Sequence, residues 1–222
     1  MLRGVGELAA VLWDLDGTLI DSEPYWIAGE YALVEHHGGT WTDEDAHAVV
    51  GFDLLDAARE IKRRSGIPLS PEEIVDHLML EVRDQINAHL PWRPGAIELL
   101  AECGAAGVPC ALVTMSWRPI ADAVAAAVPP GSFAAVVPGD EVAKGKPDPE
   151  PYLAAARLLG VDPHDCVAIE DSPTGVAAAL AAGCATLGVP HVVDIAPTDG
   201  LTLVPSLDGI GLDQLRALID GR

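Results

Sequence analysis

The spacing of hydrophobic and polar residues changes twice along the chain. Residues 8–12 form a short apolar run with the length and composition of a buried strand. From about Glu23 to Leu90, apolar residues recur at helical spacing and strand signals are few. After Pro94, helical patterns alternate with short apolar runs, which is typical of a parallel sheet. The pattern therefore predicts an α/β protein in which a helical segment interrupts the sheet-forming part.

The helical segment is predicted to contain four helices that form a small bundle. Two of them are expected over 24–37 and 53–64, where apolar residues fall on one helix face. Thr42 is a candidate cap of a short helix between these two. Ser70 begins a capping box with a proline at the first helical position, so the last helix is expected to start there.

Proline-bearing joints flank this bundle at 22–24 and 90–94, where linkers between domains are plausible. We therefore expect a helical cap domain over residues 23–91 that acts as a lid. The core domain is expected to comprise residues 1–22 together with residues 92–222.

The rest of the core is predicted to alternate helices and strands. Ser172 is a candidate N-cap, Gly183 a candidate helix end, and Asp148 a candidate cap of the helix that follows it. The predicted helices cover 95–106, 120–128, 149–159, 173–182 and 212–219. The predicted strands cover 109–114, 133–137 and 166–170, with 186–189 and 201–204 as candidate edge strands.

Polar residues follow the first predicted strand directly. Asp14 and Asp16 sit at its carboxyl end, the edge where open α/β sheets bind ligands, and Gly17 allows a sharp turn. Two carboxylates one residue apart repel each other unless a cation or a shared proton settles the charge. Alternate strand residues share a face, so both could address one metal or substrate group. On this stretch alone, an acidic surface turn is the alternative interpretation.

Later polar residues are predicted to join this pair. Right-handed crossovers place the carboxyl ends of parallel strands on one edge of the sheet. We therefore expect Asp14, Asp16, Thr114, Lys146 and Asp171 to converge although they are far apart in the sequence.

Composition narrows the classes of partner. The chain has 222 residues, half of them hydrophobic, which is enough for one or two domains with a sizeable core. Lys and Arg number 13 against 34 Asp and Glu, a formal net charge of −21. This excess argues against a nucleic-acid or anionic-membrane partner. It leaves room for a phosphorylated substrate if a few cations are focused at one site.

The cysteines and the apolar runs bear on location. Cys103, Cys110, Cys166 and Cys184 show no C-x-x-C spacing and lie in apolar surroundings, so we expect reduced core thiols. The N-terminus shows no secretion pattern, and no apolar run approaches the roughly 20 residues needed to span a membrane. The expectation is a cytoplasmic protein that is monomeric by default.

Four segments then stand in a specific order: DLDGTLIDSE from Asp14, LVTMS from Leu112, KGKPDP from Lys144 and IEDSPTG from Ile169. Together they resemble the motifs of the haloacid dehalogenase-like superfamily of phosphatases and phosphomutases. The helical insertion after the first motif resembles the cap of the branch with β-phosphoglucomutase and small sugar-phosphate phosphatases. The resemblance implies a Rossmann-like parallel sheet core with an inserted α-helical cap.

The resemblance also implies roles for single residues. Asp14 would be the nucleophile that forms an aspartyl-phosphate, and Asp16 would protonate the leaving oxygen and then activate water. The Thr114 hydroxyl and the amides after it would grip phosphate oxygens, and Lys146 would neutralise charge. Mg²⁺ would be held by Asp14, the backbone carbonyl of Asp16, and Asp171, with Glu170 as a direct or water-mediated ligand.

The sequence determines the residues that contact the substrate less clearly. We expect Trp26, Phe52, Ser116, Trp117 and Arg118 to face the organic part of the substrate. Packing between cap and core is the alternative for the aromatic residues, as is helix capping for Ser116. Where the phosphoglucomutases carry an arginine for a second phosphate and a histidine coupled to the acid/base carboxylate, this chain has leucine and tryptophan at about positions 54 and 26.

An apolar loop holds a second dianion poorly, so hydrolysis of a monophosphate is favoured over mutase chemistry. The expected function is a Mg²⁺-dependent phosphatase acting on a small phosphate monoester, such as a sugar or polyol phosphate. A phosphomutase of the β-phosphoglucomutase type is the alternative enzyme. A ligand-binding regulator without turnover is the alternative from another class.

Overall fold

Parallel strands build the centre of the structure, a computed structural model that describes residues 7–221. The six strands within these residues lie in the order β3-β2-β1-β4-β5-β6. Their bounds are β1 Ala10–Trp13, β2 Cys110–Val113, β3 Ala135–Val137, β4 Cys166–Glu170, β5 Ala185–Gly188 and β6 Leu201–Leu203. Strands β1, β2, β4 and β5 are buried along their whole length, which explains why their sequences are mostly apolar. The predicted α/β class is confirmed.

Four helices follow β1 in the chain and form the predicted helical insertion. They are α1 Glu23–His36, α2 Asp43–His47, α3 Leu54–Ser65 and α4 Pro71–Ala88. The predicted capping box at Ser70 and the predicted cap at Thr42, which is also a capping box, are confirmed: the two side chains accept hydrogen bonds from Glu73 N and Asp45 N. The insertion begins and ends at one place, because Ile20 and Trp92 pair in an antiparallel bridge.

Five further helices within the described residues flank the sheet. They are α5 Ala96–Ala106, α6 Arg118–Ala126, α7 Glu150–Leu159, α8 Pro173–Ala182 and α9 Leu212–Asp220. Alternate residues of β1 enter different cores: Ala10 and Leu12 pack with residues of α7 and α8. Val11 and Trp13 pack on the opposite face, in a cluster that continues into the inserted helices. Both faces of the sheet are therefore covered.

The predicted bounds of β4 and α8 are confirmed, and two other expectations are wrong. β5 is not an edge strand, because it pairs with β4 on one side and β6 on the other. The more exposed strand β6 forms the edge on that side of the sheet, and β3 forms the opposite edge. Asp148 is not the N-cap of α7, because Pro149 occupies that position, although the Asp148 carboxylate does accept a hydrogen bond from Glu150 N.

The four cysteines are buried, as predicted, and Cys103, Cys110 and Cys166 are free thiols. Within residues 7–221, the structure contains no helix of sufficient length and hydrophobicity to cross a membrane.

Candidate active site

Three neighbouring strands deliver the polar residues of the site to one edge of the sheet. Asp14 follows β1, Thr114 follows β2, and Glu170 ends β4 immediately before Asp171. Because β2, β1 and β4 are adjacent and parallel, their carboxyl ends meet there. Lys146 reaches the same place from the segment between β3 and α7, and its peptide bond to Pro147 is cis. The structure thus brings together the residues expected to converge.

Lys146 is the buried cation at the centre of this group. Its Nζ donates to Asp14 Oδ1 at 2.6 Å, to Glu170 Oε1 at 2.6 Å and to the Val113 carbonyl at 2.9 Å. Burial acts to lower the pKa of Lys146, but the charges of Asp14 and Glu170 outweigh it and raise the pKa above its usual range. The ammonium is therefore held in position by three acceptors, and its charged form is stabilised.

The Glu170 carboxylate helps to hold Lys146 in place. Its Oε1 also accepts a hydrogen bond from the Tyr152 hydroxyl at 2.6 Å, and its Oε2 accepts from the Ser172 hydroxyl at 3.1 Å. Gly175 makes room for this carboxylate, because a Cβ at that position would overlap it. Protein donors therefore reach both oxygens of Glu170, which is completely buried.

Asp14 has one occupied and one free oxygen. Lys146 occupies Oδ1, while Oδ2 is buried and has no hydrogen-bond partner among the described residues. Burial raises the pKa of Asp14 to about 7; the attraction of Lys146 opposes this, and the charges of Glu170 and Asp16 reinforce it. A buried carboxylate oxygen without a partner is costly unless a cation or a reacting group meets it.

The chemistry of the donors fits a divalent cation. Asp14, Glu170 and Asp171 each offer one carboxylate oxygen, and these three atoms lie within 4.8 Å of one another. Burial and the two neighbouring carboxylates raise the pKa of Asp171 well above its usual range. Gly17, at φ +85°, is required here because a Cβ would overlap the Asp171 carboxylate. Hard oxygen ligands in this number suit Mg²⁺, which this group of residues could bind.

Asp16 lies beside this group in a set of hydrogen bonds. Its Oδ1 accepts from Ser22 Oγ at 2.6 Å and Trp26 Nε1 at 3.3 Å. Its Oδ2 accepts from Ser116 Oγ at 2.7 Å and Thr114 Oγ1 at 3.1 Å. These donors come from the core and from α1, so Asp16 links the polar edge of the sheet to the inserted helices.

A cavity of about 340 Å³ opens above these residues, between the sheet edge and the inserted helices. Asp14, Asp16, Lys146 and Asp171 form its floor. Of the residues expected on the substrate side, Trp26, Phe52 and Ser116 line the cavity. Phe52 is half exposed, so it lies at the mouth.

Trp117 and Arg118 are not among the residues that line the cavity. Trp117 packs against the hydrophobic core just before α6. The Arg118 guanidinium instead pairs with Glu141 at 2.6 Å and Asp122 at 3.3 Å. Oppositely charged neighbours hold it there, so we do not include these two residues in the proposed substrate contacts.

Comparison with known proteins now identifies the family. The model of the haloacid dehalogenase-like hydrolases matches residues 8–183. The chain belongs to this family. It is 35% identical to hexitol phosphatase A of Escherichia coli over 204 residues, covering 85% of this chain and 83% of that protein. It is 30% identical to a phosphorylated carbohydrates phosphatase of Thermotoga maritima, covering 83% and 86% of the two chains.

A solved structure agrees with this assignment. CbbY of Rhodobacter sphaeroides, as a point mutant in complex with xylulose-(1,5)bisphosphate, has a TM-score of 0.84 and 27% identity to this hydrolase. The match covers 94% of this chain and 99% of that one. The fold predicted from the motifs is thus confirmed, and this chain is an enzyme of the family.

Sequence reasoning missed several residues of the hydrolase site. Glu23, Glu30 and His191 line the cavity, and Tyr152 supports Glu170. The two glutamates could have been predicted, because they lie three and four residues from the expected contact Trp26 and therefore share its helix face. His191 lies far from the motifs in sequence, and its hydrogen bond to Asp21 becomes visible only in the fold.

Proposed function

We propose that this hydrolase is a Mg²⁺-dependent phosphatase that cleaves a small phosphate monoester, a sugar or polyol phosphate, through an aspartyl-phosphate on Asp14. The observation that supports this most directly is the Asp14 carboxylate. One of its oxygens is fixed by Lys146 and the other is free at the cavity floor. A hydrolase of this family in which that oxygen attacks phosphorus needs no further nucleophile.

In the first step, Asp14 Oδ2 forms a bond to phosphorus while the bond from phosphorus to the ester oxygen breaks. Asp16 gives its proton to the departing alkoxide, which leaves as the alcohol. In the second step, Asp16 takes a proton from water as the water oxygen attacks phosphorus. Inorganic phosphate then leaves and the Asp14 carboxylate is regenerated.

Charge neutralisation is the main requirement, because an anionic nucleophile must approach an anionic ester. Lys146 supplies one fixed positive charge next to Asp14. The Asp14 and Asp171 carboxylates and the backbone carbonyl of Asp16 would hold the metal, with Glu170 as a direct or water-mediated ligand. When bound there, Mg²⁺ supplies the remaining positive charge. Thr114 and Ser116 keep the Asp16 carboxyl oriented.

Hydrolysis is favoured over mutase chemistry by the residues of the cap side. Leu54 lines the cavity at about the position where the mutases carry a phosphate-binding arginine, and Trp26 contacts Asp16 near the position where they carry a histidine. The two similar phosphatases are named for hexitol and carbohydrate phosphates, which supports the substrate class. The buried thiols of Cys103, Cys110 and Cys166 support a reducing, cytoplasmic location.

The test is phosphate release from a panel of sugar, polyol and nucleotide phosphates, with Mg²⁺ and with EDTA. We expect turnover of a sugar or polyol phosphate in Mg²⁺ and a loss of at least about a hundredfold in EDTA, because the site would then lack its divalent charge. Asp171→Asn should give a similar loss in Mg²⁺. The control Asp199→Asn, at an exposed site, should retain wild-type rates. Equal rates in Mg²⁺ and EDTA would contradict the proposal.

A further inference from the structure

One face of α1 forms a polar stripe along the cavity wall. Glu23, Trp26 and Glu30 all line the cavity and are spaced three and four residues apart, so they share a helix face. Trp26 marks the end near the reacting group, because its indole contacts Asp16. Glu30 lies one turn further, about 6 Å along the helix axis at 1.5 Å per residue. Glu30 therefore lines the cavity about one helical turn beyond the residue that contacts Asp16, where we expect the leaving group.

Glu30 is a buried carboxyl whose hydrogen-bonding capacity is half used. Only 6% of the residue is exposed, and its Oε2 accepts a hydrogen bond from Trp41 Nε1 at 3.0 Å. No described residue donates to its Oε1. Burial raises the pKa of Glu30 to about 8, against the effect of the Trp41 hydrogen bond. In either protonation state the free oxygen can bond to a hydroxyl group, which both donates and accepts.

The rest of the cap wall offers no competing polar group. The side chains that line it are apolar, apart from the stripe on α1: Val49, Val50, Phe52, Leu54, Ala57, Val75 and Leu78. The Trp26 indole is already committed to Asp16. A substrate hydroxyl that meets this wall can therefore be satisfied at Glu30 or Glu23.

The charges of the lining disfavour a second phosphate. Lys146 is the one Lys or Arg side chain among the described lining residues, and it is already paired with Asp14 and Glu170. His191 also lines the cavity, and Asp21 is its partner. No Lys or Arg side chain of the described lining is free to pair with the second phosphate of a bisphosphate, and the apolar cap wall would not compensate for its lost hydration.

We propose that Glu30, assisted by Glu23, binds hydroxyl groups of the leaving alcohol, and that the substrate is the monophosphate of a polyhydroxylated, otherwise uncharged molecule. This inference rests on the proposed function and adds the residues that select the substrate. A site with buried polar groups discriminates strongly against compounds that leave those groups unpaired.

The experiment compares kcat/KM for sorbitol 6-phosphate with that for p-nitrophenyl phosphate, whose leaving group has no aliphatic hydroxyl groups. We expect Glu30→Leu to lower the ratio of the two values at least about tenfold, since a buried hydrogen bond is lost for one substrate only. The conservative Glu30→Gln should lie closer to wild type. Where Glu30→Leu does not fold, Glu23→Leu provides the same comparison.

Two controls separate binding from structure. Trp41→Phe removes the indole donor but keeps the Glu30 carboxyl, so the ratio should stay at its wild-type value. Glu35→Leu changes an exposed glutamate of the same helix and should also leave the ratio unchanged. An unchanged ratio in Glu30→Leu, or an equal fall in Trp41→Phe, would overturn the role of Glu30.

A bisphosphate tests the charge argument with the wild-type enzyme. We expect kcat/KM for fructose 1,6-bisphosphate to be at least about tenfold below that for sorbitol 6-phosphate, because no free cation at the cap wall pairs with the second phosphate. Equal values would overturn the selection by charge. A wild-type enzyme that releases no phosphate even from p-nitrophenyl phosphate would instead refute the proposed function, so the two failures are distinguishable.

Discussion

Asp16 shows how single side chains determine the chemistry proposed for this site. Hydrogen bonds from Ser22, Trp26, Thr114 and Ser116 hold its carboxyl close to Asp14, the proposed nucleophile. An asparagine has nearly the same shape, so the surrounding structure should persist in Asp16→Asn. What disappears is the ability to give a proton to an alkoxide and to accept one from water.

For Asp16→Asn we expect turnover to fall by about 10²- to 10⁴-fold on a polyol phosphate, the usual size of a general acid–base contribution. With p-nitrophenyl phosphate, whose leaving group needs little protonation, the first step should survive while the second is slow. Stopped-flow absorbance should therefore show a burst of nitrophenolate equal to the enzyme concentration. Turnover at the wild-type rate on both substrates would contradict the assigned roles.

Some residues that the sequence predicted to lie at the site do not line the cavity. Asp14, Asp16, Lys146 and Asp171 could be predicted, because each occupies a motif position and a defined place relative to a strand. Arg118 was expected to face the substrate, but its direction is decided by Glu141, a neighbour 23 residues away. Side-chain direction depends on such tertiary partners, which the local pattern does not contain.

At the scale of elements, local sequence signals predicted the bounds of α8 well but not the position of β5 in the sheet. α8 begins at Pro173 and ends at Ala182 as expected, because the Ser172 hydroxyl caps it and Gly183 adopts a left-handed conformation. β5 was wrongly expected to be an edge strand. Its place is fixed by pairing with β6, a strand of three residues with a weak sequence signal.

Helix α1 carries a residue of the site, Glu30, whose burial lowers the stability of the fold. It buries Glu30, whose pKa rises from its ordinary value of 4.5 to about 8. Between these values the folded chain binds a proton that the unfolded chain has released, so raising the pH favours unfolding. The destabilisation is absent below about pH 4.5 and grows up to about pH 8. The helix thus keeps a carboxyl that makes the fold less stable at neutral and alkaline pH.

We therefore expect Glu30→Gln to be more stable than wild type at pH 8, by on the order of a few kcal/mol in the free energy of unfolding. The difference should shrink towards pH 5. Urea denaturation of both proteins at the two pH values, in EDTA, measures it. Glu35→Gln, on the exposed face of α1, is the control and should show no such pH dependence. A difference that is the same at both pH values would contradict the burial cost assigned to Glu30.

At the scale of the whole molecule, the site exists because distant segments meet at one sheet edge. Lys146 lies 132 residues from Asp14, yet their charged atoms are 2.6 Å apart. This convergence follows from the parallel order of β2, β1 and β4, and motif order along the chain was enough to predict it. The cavity wall on α1 was not predictable in the same way, because it depends on how the inserted helices pack over the core.

The most direct test of the account is to trap the covalent intermediate at Asp14. Enzyme mixed with p-nitrophenyl phosphate is quenched in acid and reduced with borohydride, which converts an aspartyl-phosphate to homoserine, and its peptides are analysed by mass spectrometry. We predict homoserine at position 14 in the wild type, a stronger signal in Asp16→Asn, and none in Asp14→Asn. Homoserine at another aspartate, or full turnover by Asp14→Asn, would contradict the central claim.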